Sequence, residues 1–290
     1  KIFSILTFGD TWLVWIVIKI LLIVTIFSMS IYLIMSIKKP DLFWSSIWDY
    51  ANVIGKKNHK FKFNKKFIKN DFLVKSKLNF AENLLSKKNK TKAITFVSEN
   101  RFREERNWES LNHNINKLNV FFKKINIRKK DRVAAYMPNI IENVEAFIST
   151  VAIGAIWSSC SPDFGTNGVI ERFSQIKPKL LFITDQYFYN GKRINILDRV
   201  EEILKKIKSI KHLVIINYPG QKYINKNFKF KNIKVYYLKN INNINIKDKK
   251  IKFEKFDFEH ELAILYSSGT RGKPKCICHK SGGVLLQHKK

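Results

Sequence analysis

Cysteine is scarce, with three thiols in 290 residues, and three thiols make no disulfide framework. They suit a reducing cytosol. Cys276 and Cys278 flank Ile277 beside His279, but C-x-C-H lacks the loop spacing of zinc sites. They read as small residues beside a turn, and no metal site is expected. Acidic residues are also few: 23 against 54 Lys and Arg, a formal charge of +31. Such an excess raises nucleic acid as a partner. The lysines, however, are scattered among Ile, Asn and Phe without forming a stripe, so no nucleic acid is expected; a basic surface equally suits small polyanions. A Walker A loop is missing too. Gly269 and Gly272 stand too close together for one, and Lys273 is followed by Pro274 instead of Ser or Thr.

Charge is absent altogether from Ile20 to Ile37. This uncharged, mostly apolar run meets the length test for a membrane-spanning helix. Lys38 and Lys39 follow at once, which by the charge rule leaves the rest of the chain in the cytoplasm. A signal peptide fits less well, because the run is long and no small-residue cleavage site follows. The chain begins with Lys1, not Met, so its start reads as incomplete. Residues 11–37 therefore keep two readings, a membrane anchor or a misassembled, frame-shifted start.

The remainder, 45% hydrophobic over the whole chain, has ample material for a core. Pro40 opens a helix carrying Phe43, Trp44 and Trp48, aromatics read as core. The basic stretch between Lys56 and Lys77 reads as a surface excursion. From Ala93 strands and helices alternate. Ala93 to Val97 is β-like, and Leu111, Ile115, Leu118, Phe122 and Ile125 fall on one helical face. Arg132 to Met137 is a strand; Ile141, Val144, Ile148 and Val151 mark the next helix. Leu180 to Thr184 is a strand, Ile196, Val200, Ile203 and Ile207 a helical stripe, and His212 to Ile216 a strand. The pattern predicts an α/β fold with a largely parallel sheet and helices on both faces. Ligands in such sheets bind beyond the C-terminal ends of the strands. Asn225 to Lys255 reads as loop plus a short strand, Val235 to Leu238.

At that position stands Leu265-Tyr266-Ser267-Ser268-Gly269-Thr270-Arg271-Gly272-Lys273-Pro274-Lys275, preceded by an apolar run of buried-strand length, Leu262 to Tyr266. Glycines let backbone N–H groups approach an anion, hydroxyls add donors and lysine adds charge. Taken alone, it is either a phosphate-binding turn or a Ser/Gly surface turn. As a string, continued by Cys276 to His279 and Gly282-Gly283-Val284-Leu285-Leu286, it resembles the phosphate-binding signature of the adenylate-forming acyl-CoA synthetase superfamily. Arg271 departs from that signature, standing where the superfamily usually has Thr or Ser.

Further strings carry the resemblance towards acetoacetyl-CoA synthetases. They are Gly154-Ala155-Ile156-Trp157-Ser158-Ser159-Cys160-Ser161-Pro162-Asp163-Phe164-Gly165, then Arg172-Phe173, Gln175-Ile176, Pro178-Lys179 and Tyr189-Asn190-Gly191-Lys192. Ile37 to Tyr50 resembles the N-terminal cap segment of these enzymes, and Asn79-Phe80-Ala81-Glu82-Asn83-Leu84-Leu85 is similar to the segment that closes that cap.

The resemblance implies the N-terminal part of the adenylate-forming fold, with 38–92 a cap segment and 93–290 a truncated AMP-binding domain; residues 1–35 match nothing in the family, and 1–37 is read as a hydrophobic helix from its uncharged run alone. It implies a ligase that uses ATP, Mg2+ and coenzyme A to convert acetoacetate to acetoacetyl-AMP and then to a thioester. Ser267, Ser268, Gly269, Thr270, Gly272 and Lys275 would hold the β- and γ-phosphates, with Lys275 as the catalytic group. Lys192 and Arg193 would meet the 3′-phosphate of coenzyme A; a solvated turn is the other reading of that pair. Because members of the superfamily continue well past the equivalent of Lys290, the resemblance also implies a fragment that is inactive alone. Two alternatives remain: a ligase for another short acid such as acetate or propionate, and an inactive, membrane-anchored remnant.

Overall fold

The computed structural model describes residues 11–58, 73–224, 226–246, 251–267 and 272–289, with the backbone alone for 11–16 and 26–28. The chain divides into two compact units. The stretch between Lys56 and Lys77 read as a surface excursion lies largely outside the described residues.

The first unit holds α1 (Thr11–Lys38) and α2 (Pro40–Tyr50). Within α1, Val17–Lys38 is long and apolar enough to cross a membrane, and none of it is buried. At 1.5 Å per residue it is about 33 Å long, close to the ~30 Å of a bilayer's hydrocarbon core. The break between the helices falls at Lys39, whose ψ of 60° is not helical; a residue before proline is pushed out of the α region. Pro40 and Asp41 then suit the first turn of α2. Of the aromatics expected in the core, Trp48 is buried, while Phe43 and Trp44 are only half-buried.

The second unit carries the sheet. A small one joins β1 (Gly55–Lys56), β2 (Lys77–Leu78) and, from far along the chain, β12 (Phe256–Asp257). Between them α3 (Phe80–Leu84) begins at Asn79, a fully buried side chain. Its Oδ1 accepts from Glu82 N–H, and its Nδ2 donates to Ala152 O and Glu254 O at 2.9 and 2.8 Å. One amide thereby ties three distant segments.

β3 (Lys92–Val97) pairs antiparallel with β4 (Arg103–Asn107) in a sheet of its own. It does not open the parallel alternation. The partner strand is Arg-Glu-Glu-Arg-Asn, which has no apolar periodicity to reveal it.

Next come α4 (Trp108–Lys124), β5 (Arg132–Tyr136), α5 (Ile141–Ala152), β6 (Ile156–Cys160), α6 (Thr166–Ile176) and β7 (Leu180–Thr184). The hairpin β8 (Gln186–Tyr189) and β9 (Lys192–Asn195) leads to α7 (Leu197–Lys206), β10 (His212–Ile216), β11 (Lys234–Tyr237) and α8 (Leu238–Asn242). The chain closes with β13 (Glu261–Tyr266), β14 (Cys276–Lys280) and α9 (Ser281–Lys289). The seven-stranded order is β11-β10-β7-β5-β6-β13-β14. Every neighbouring pair is parallel except β13 with β14. The crossover from β5 to β6 runs one way along the sheet, and that from β6 to β7 runs back. Right-handed crossovers then place α5 on one face and α6 on the other. Phe122, Tyr136, Phe173 and Phe182 are among the largest fully buried side chains, each contributing roughly 1.5–3 kcal/mol by burial.

Candidate functional site

β6, β7 and β13 are parallel, so the turns that follow them open on one edge of the sheet. Three stretches singled out in the sequence lie there: the turn after β6, the hairpin after β7 and the Ser/Gly stretch after β13.

The last of these joins β13 to β14, and its neck is closed by two bonds. Ser267 N–H donates to Lys275 O at 3.0 Å, and Lys275 N–H donates to the Ser267 hydroxyl at 3.3 Å. The stretch is thus a closed loop on a hairpin. Gly272 takes φ +89°, with nothing near where a Cβ would lie, a conformation glycine adopts without cost. Lys275 is exposed, while Pro274 beside it is buried. Ser268, Gly269, Thr270 and Arg271 lie outside the described residues. β13 is not the fully buried strand its apolar run predicts. Leu262 and Ala263 are buried, but Leu265 is exposed and Tyr266 half-buried. Its outer neighbour β14 is itself exposed over Cys276–Cys278, which leaves that end uncovered.

β6 and α6 pack beside this hairpin. The buried Ser158 hydroxyl donates to Ile264 O at 2.8 Å and lies 3.2 Å from the Tyr266 hydroxyl. Tyr266 in turn donates to Arg172 O of α6 at 3.3 Å. The Arg172 guanidinium sits 4.2 Å from the Phe164 ring and 5.8 Å from the Tyr266 ring. From β5, the Tyr136 hydroxyl lies 2.8 Å from Phe164 O and 3.1 Å from Pro162 O, fixing the turn after β6 at both ends. Burial raises the Tyr266 phenol above its usual range and pushes the Cys160 thiol up to about 12. Cys160 is therefore a neutral packing group, not a nucleophile.

Lys192 and Arg193 are exposed on β9. The turn that precedes them has positive φ at both Asn190 (49°) and Gly191 (70°), the primed geometry of a two-residue hairpin. Glu99 holds it, its carboxylate accepting from Asn190 N–H at 3.3 Å and Gly191 N–H at 3.0 Å. Successive strand residues point to opposite faces, so Lys192 and Arg193 do not present one joint cationic grip. The hairpin follows β7, three strands from β13 in the sheet, or roughly 14 Å at strand spacing.

A sequence model of the family described as AMP-binding enzyme matches residues 81–289. The chain belongs to that family. Among its relatives, the acetoacetyl-coenzyme A synthetase of Rhizobium meliloti (strain 1021) is 36% identical over 264 residues, covering 88% of this chain and 38% of that protein. The acetoacetyl-CoA synthetase of Gallus gallus is 36% identical over 255 residues, covering 86% and 38%. The malonamoyl-CoA synthetase of Penicillium aethiopicum is 30% identical over 278 residues, covering 88% and 37%. In three dimensions the chain is similar to the acetoacetyl-CoA synthetase from Streptomyces lividans, with a TM-score of 0.78 at 27% identity over 88% of this chain and 38% of that one. The chain therefore spans 38% of the length of the first relatives it matches.

For an AMP-binding enzyme the remaining features of this edge read consistently. Among the described residues no group of three or more His, Cys, Asp or Glu could hold a metal ion. Cys276 and Cys278 are exposed residues of strand β14, directly beside the turn. Sequence reasoning quoted Ser158, Arg172 and Gln175 only as parts of similar strings. Their contacts to the loop hairpin depend on the β6–β13 pairing, which joins residues about a hundred positions apart and left no local signal.

Proposed function

We propose that the protein is an acid–thiol ligase that activates acetoacetate with MgATP and passes the acyl group to coenzyme A. The observation that carries this reading is the closed Ser267–Lys275 loop, seated beside the Ser158–Gly165 stretch at the C-terminal edge of a parallel sheet, in a chain similar to acetoacetyl-CoA synthetases. A carboxylate is a poor acyl donor. Its oxygen attacks the α-phosphorus, the bond to the bridging oxygen breaks, and pyrophosphate leaves with the electron pair. The thiol of coenzyme A then attacks the acyl carbon, AMP departs, and the thiol proton is released. In this account Ser267, Ser268, Gly269, Thr270 and Gly272 direct donors at the β- and γ-phosphates. Lys275 stabilises charge building on departing pyrophosphate. Lys192 or Arg193 meets the 3′-phosphate of coenzyme A. The N-terminal helix α1 is read as a membrane-contacting segment, its apolar side chains being exposed from Val17 to Val24 and from Met29 to Leu33, with the catalytic part on the cytoplasmic side.

A second reading, a ligase for another short acid, is favoured by the similarity to a malonamoyl-CoA synthetase. Thioester formation by the full-length protein, assayed with acetoacetate, malonamate, acetate and propionate at equal concentration, separates the two. The reading expects acetoacetate to give the highest kcat/KM; a higher value for any other acid replaces it with the second.

A further inference from the structure

The loop hairpin is held from outside by one face of α6. Arg172 and Gln175 stand three positions apart, so they share a helical face. At the β13 end of the loop, the Arg172 guanidinium lies against the Tyr266 ring and donates through Nη1 to Gly168 O at 2.8 Å, while Arg172 O accepts from the Tyr266 hydroxyl. At the β14 end, Gln175 Nε2 donates to Pro274 O at 2.9 Å and to Glu171 O of its own helix at 3.0 Å. The Cys276 thiol donates to Gln175 Oε1 at 3.6 Å. The residue between these contacts and the neck is Lys275 itself. The same helix begins just after Phe164, whose ring is also stacked by Arg172.

We propose that Arg172 and Gln175 are positioning residues that set, from α6, the two flanks of the loop at Tyr266 and Pro274–Cys276, and tie them to Phe164 of the turn after β6. Proline has no N–H to fix it in a ladder, so the carbonyl of Pro274 is the handle by which the loop's last residues are held. Gln175 grips that handle, and no other donor to Pro274 O is recorded among the described residues. Without the grip, Lys275 keeps, among the described residues, only its two bonds to Ser267. The account rests on the reading of this loop as the phosphate-binding element, so its test needs one readout that does not depend on activity.

That readout is hydrogen exchange of the Ser267 and Lys275 amides in the 290-residue chain. Gln175→Met removes both the donor and the acceptor at unchanged length, and Gln175→Glu places a carboxylate against the Pro274 carbonyl. The expected result is exchange at these two amides faster by about threefold to tenfold in Gln175→Met, the range for one lost hydrogen bond. Amides of β5 and β7 should be unchanged. Arg172→Lys, which keeps charge but loses the flat stacking group, should act in the same direction. In the full-length protein, Gln175→Met should raise KM for ATP by a similar factor and leave KM for the acid within about twofold. Gln175→Glu should be worse than Gln175→Met for ATP, because it adds negative charge near a polyphosphate. Cys276→Ala, which removes only the long thiol contact, should be near wild type. Unchanged exchange at Ser267 and Lys275 in Gln175→Met would overturn the proposal, as would acceleration spread evenly over the sheet. Faster loop exchange in a full-length protein without ATP-dependent activity would leave the positioning role standing and sink the ligase reading instead.

Discussion

Glu145 is a buried carboxyl on α5, with Arg106 Nε at 3.1 Å and Asn114 Nδ2 at 2.9 Å from Oε1. The same guanidinium also pairs with Glu104 and Glu142 at 3.0 and 3.3 Å. One cation cannot neutralise three carboxylates, and burial pushes Glu145 from the usual carboxylate range up to about 7. Glu142 moves in the same direction for the same reason. The folded chain therefore binds more protons than the unfolded one between about pH 4.5 and 7. The stabilising contribution is full below the unfolded pKa and is lost as pH rises through the folded value. Glu145→Gln keeps an oxygen that can accept from Arg106 and Asn114 without the buried charge. It is expected to flatten the fall in melting temperature across that window and to match or exceed the wild type at pH 8. A variant with the wild-type slope would contradict this. The same residue shows what the sequence conceals. Glu145 is four positions after Ile141 and three before Ile148, so it lies on the buried face, but apolar periodicity passes over a charged residue. Asn79 is hidden likewise: nothing local says that its amide reaches Ala152 and Glu254.

Among the elements, those with a strong apolar signature were legible. The stripe of Leu111, Ile115, Leu118 and Phe122 is buried on α4, and Leu180–Thr184 and His212–Ile216 are buried or nearly buried strands of the sheet. Among the strands that escaped notice, β4 and β14 carry mostly polar or exposed side chains, β1, β2 and β12 are two residues long, and the missed helix α8 has only five residues. Two predictions belong at this scale. Lys192 and Arg193 alternate along β9, opposite Tyr189 and Phe188, so under the proposed function only one of them would face the 3′-phosphate of coenzyme A. Alanine at that one should raise KM for coenzyme A by about tenfold, the cost of a charge-assisted hydrogen bond, and alanine at the other by less than about twofold. Equal losses from both would show that the hairpin does not keep this alternation in the working enzyme. The helix α1 gives the second. Exposed apolar side chains over a bilayer's length should hold the chain to membranes through a high-salt or alkaline wash, because apolar burial is not screened by salt. Release by salt alone would mean attraction through the basic surface.

For the whole molecule, the sequence carried the largely parallel sheet, because βα alternation is a local pattern. It did not carry the order of strands: β13 pairs with β6, so Ser158 meets Ile264 and Tyr266 across about a hundred residues of chain. The central claim is that the Ser267–Lys275 loop drives departure of pyrophosphate. Acetoacetate-dependent exchange of labelled pyrophosphate into ATP, measured on the full-length protein and its Lys275→Ala variant, addresses it directly. The account predicts robust exchange in the wild type and a loss of a hundredfold or more in the variant, about 2.7–4 kcal/mol of transition-state stabilisation, with KM for acetoacetate little changed. Normal exchange by Lys275→Ala would contradict it and leave the stretch a surface turn.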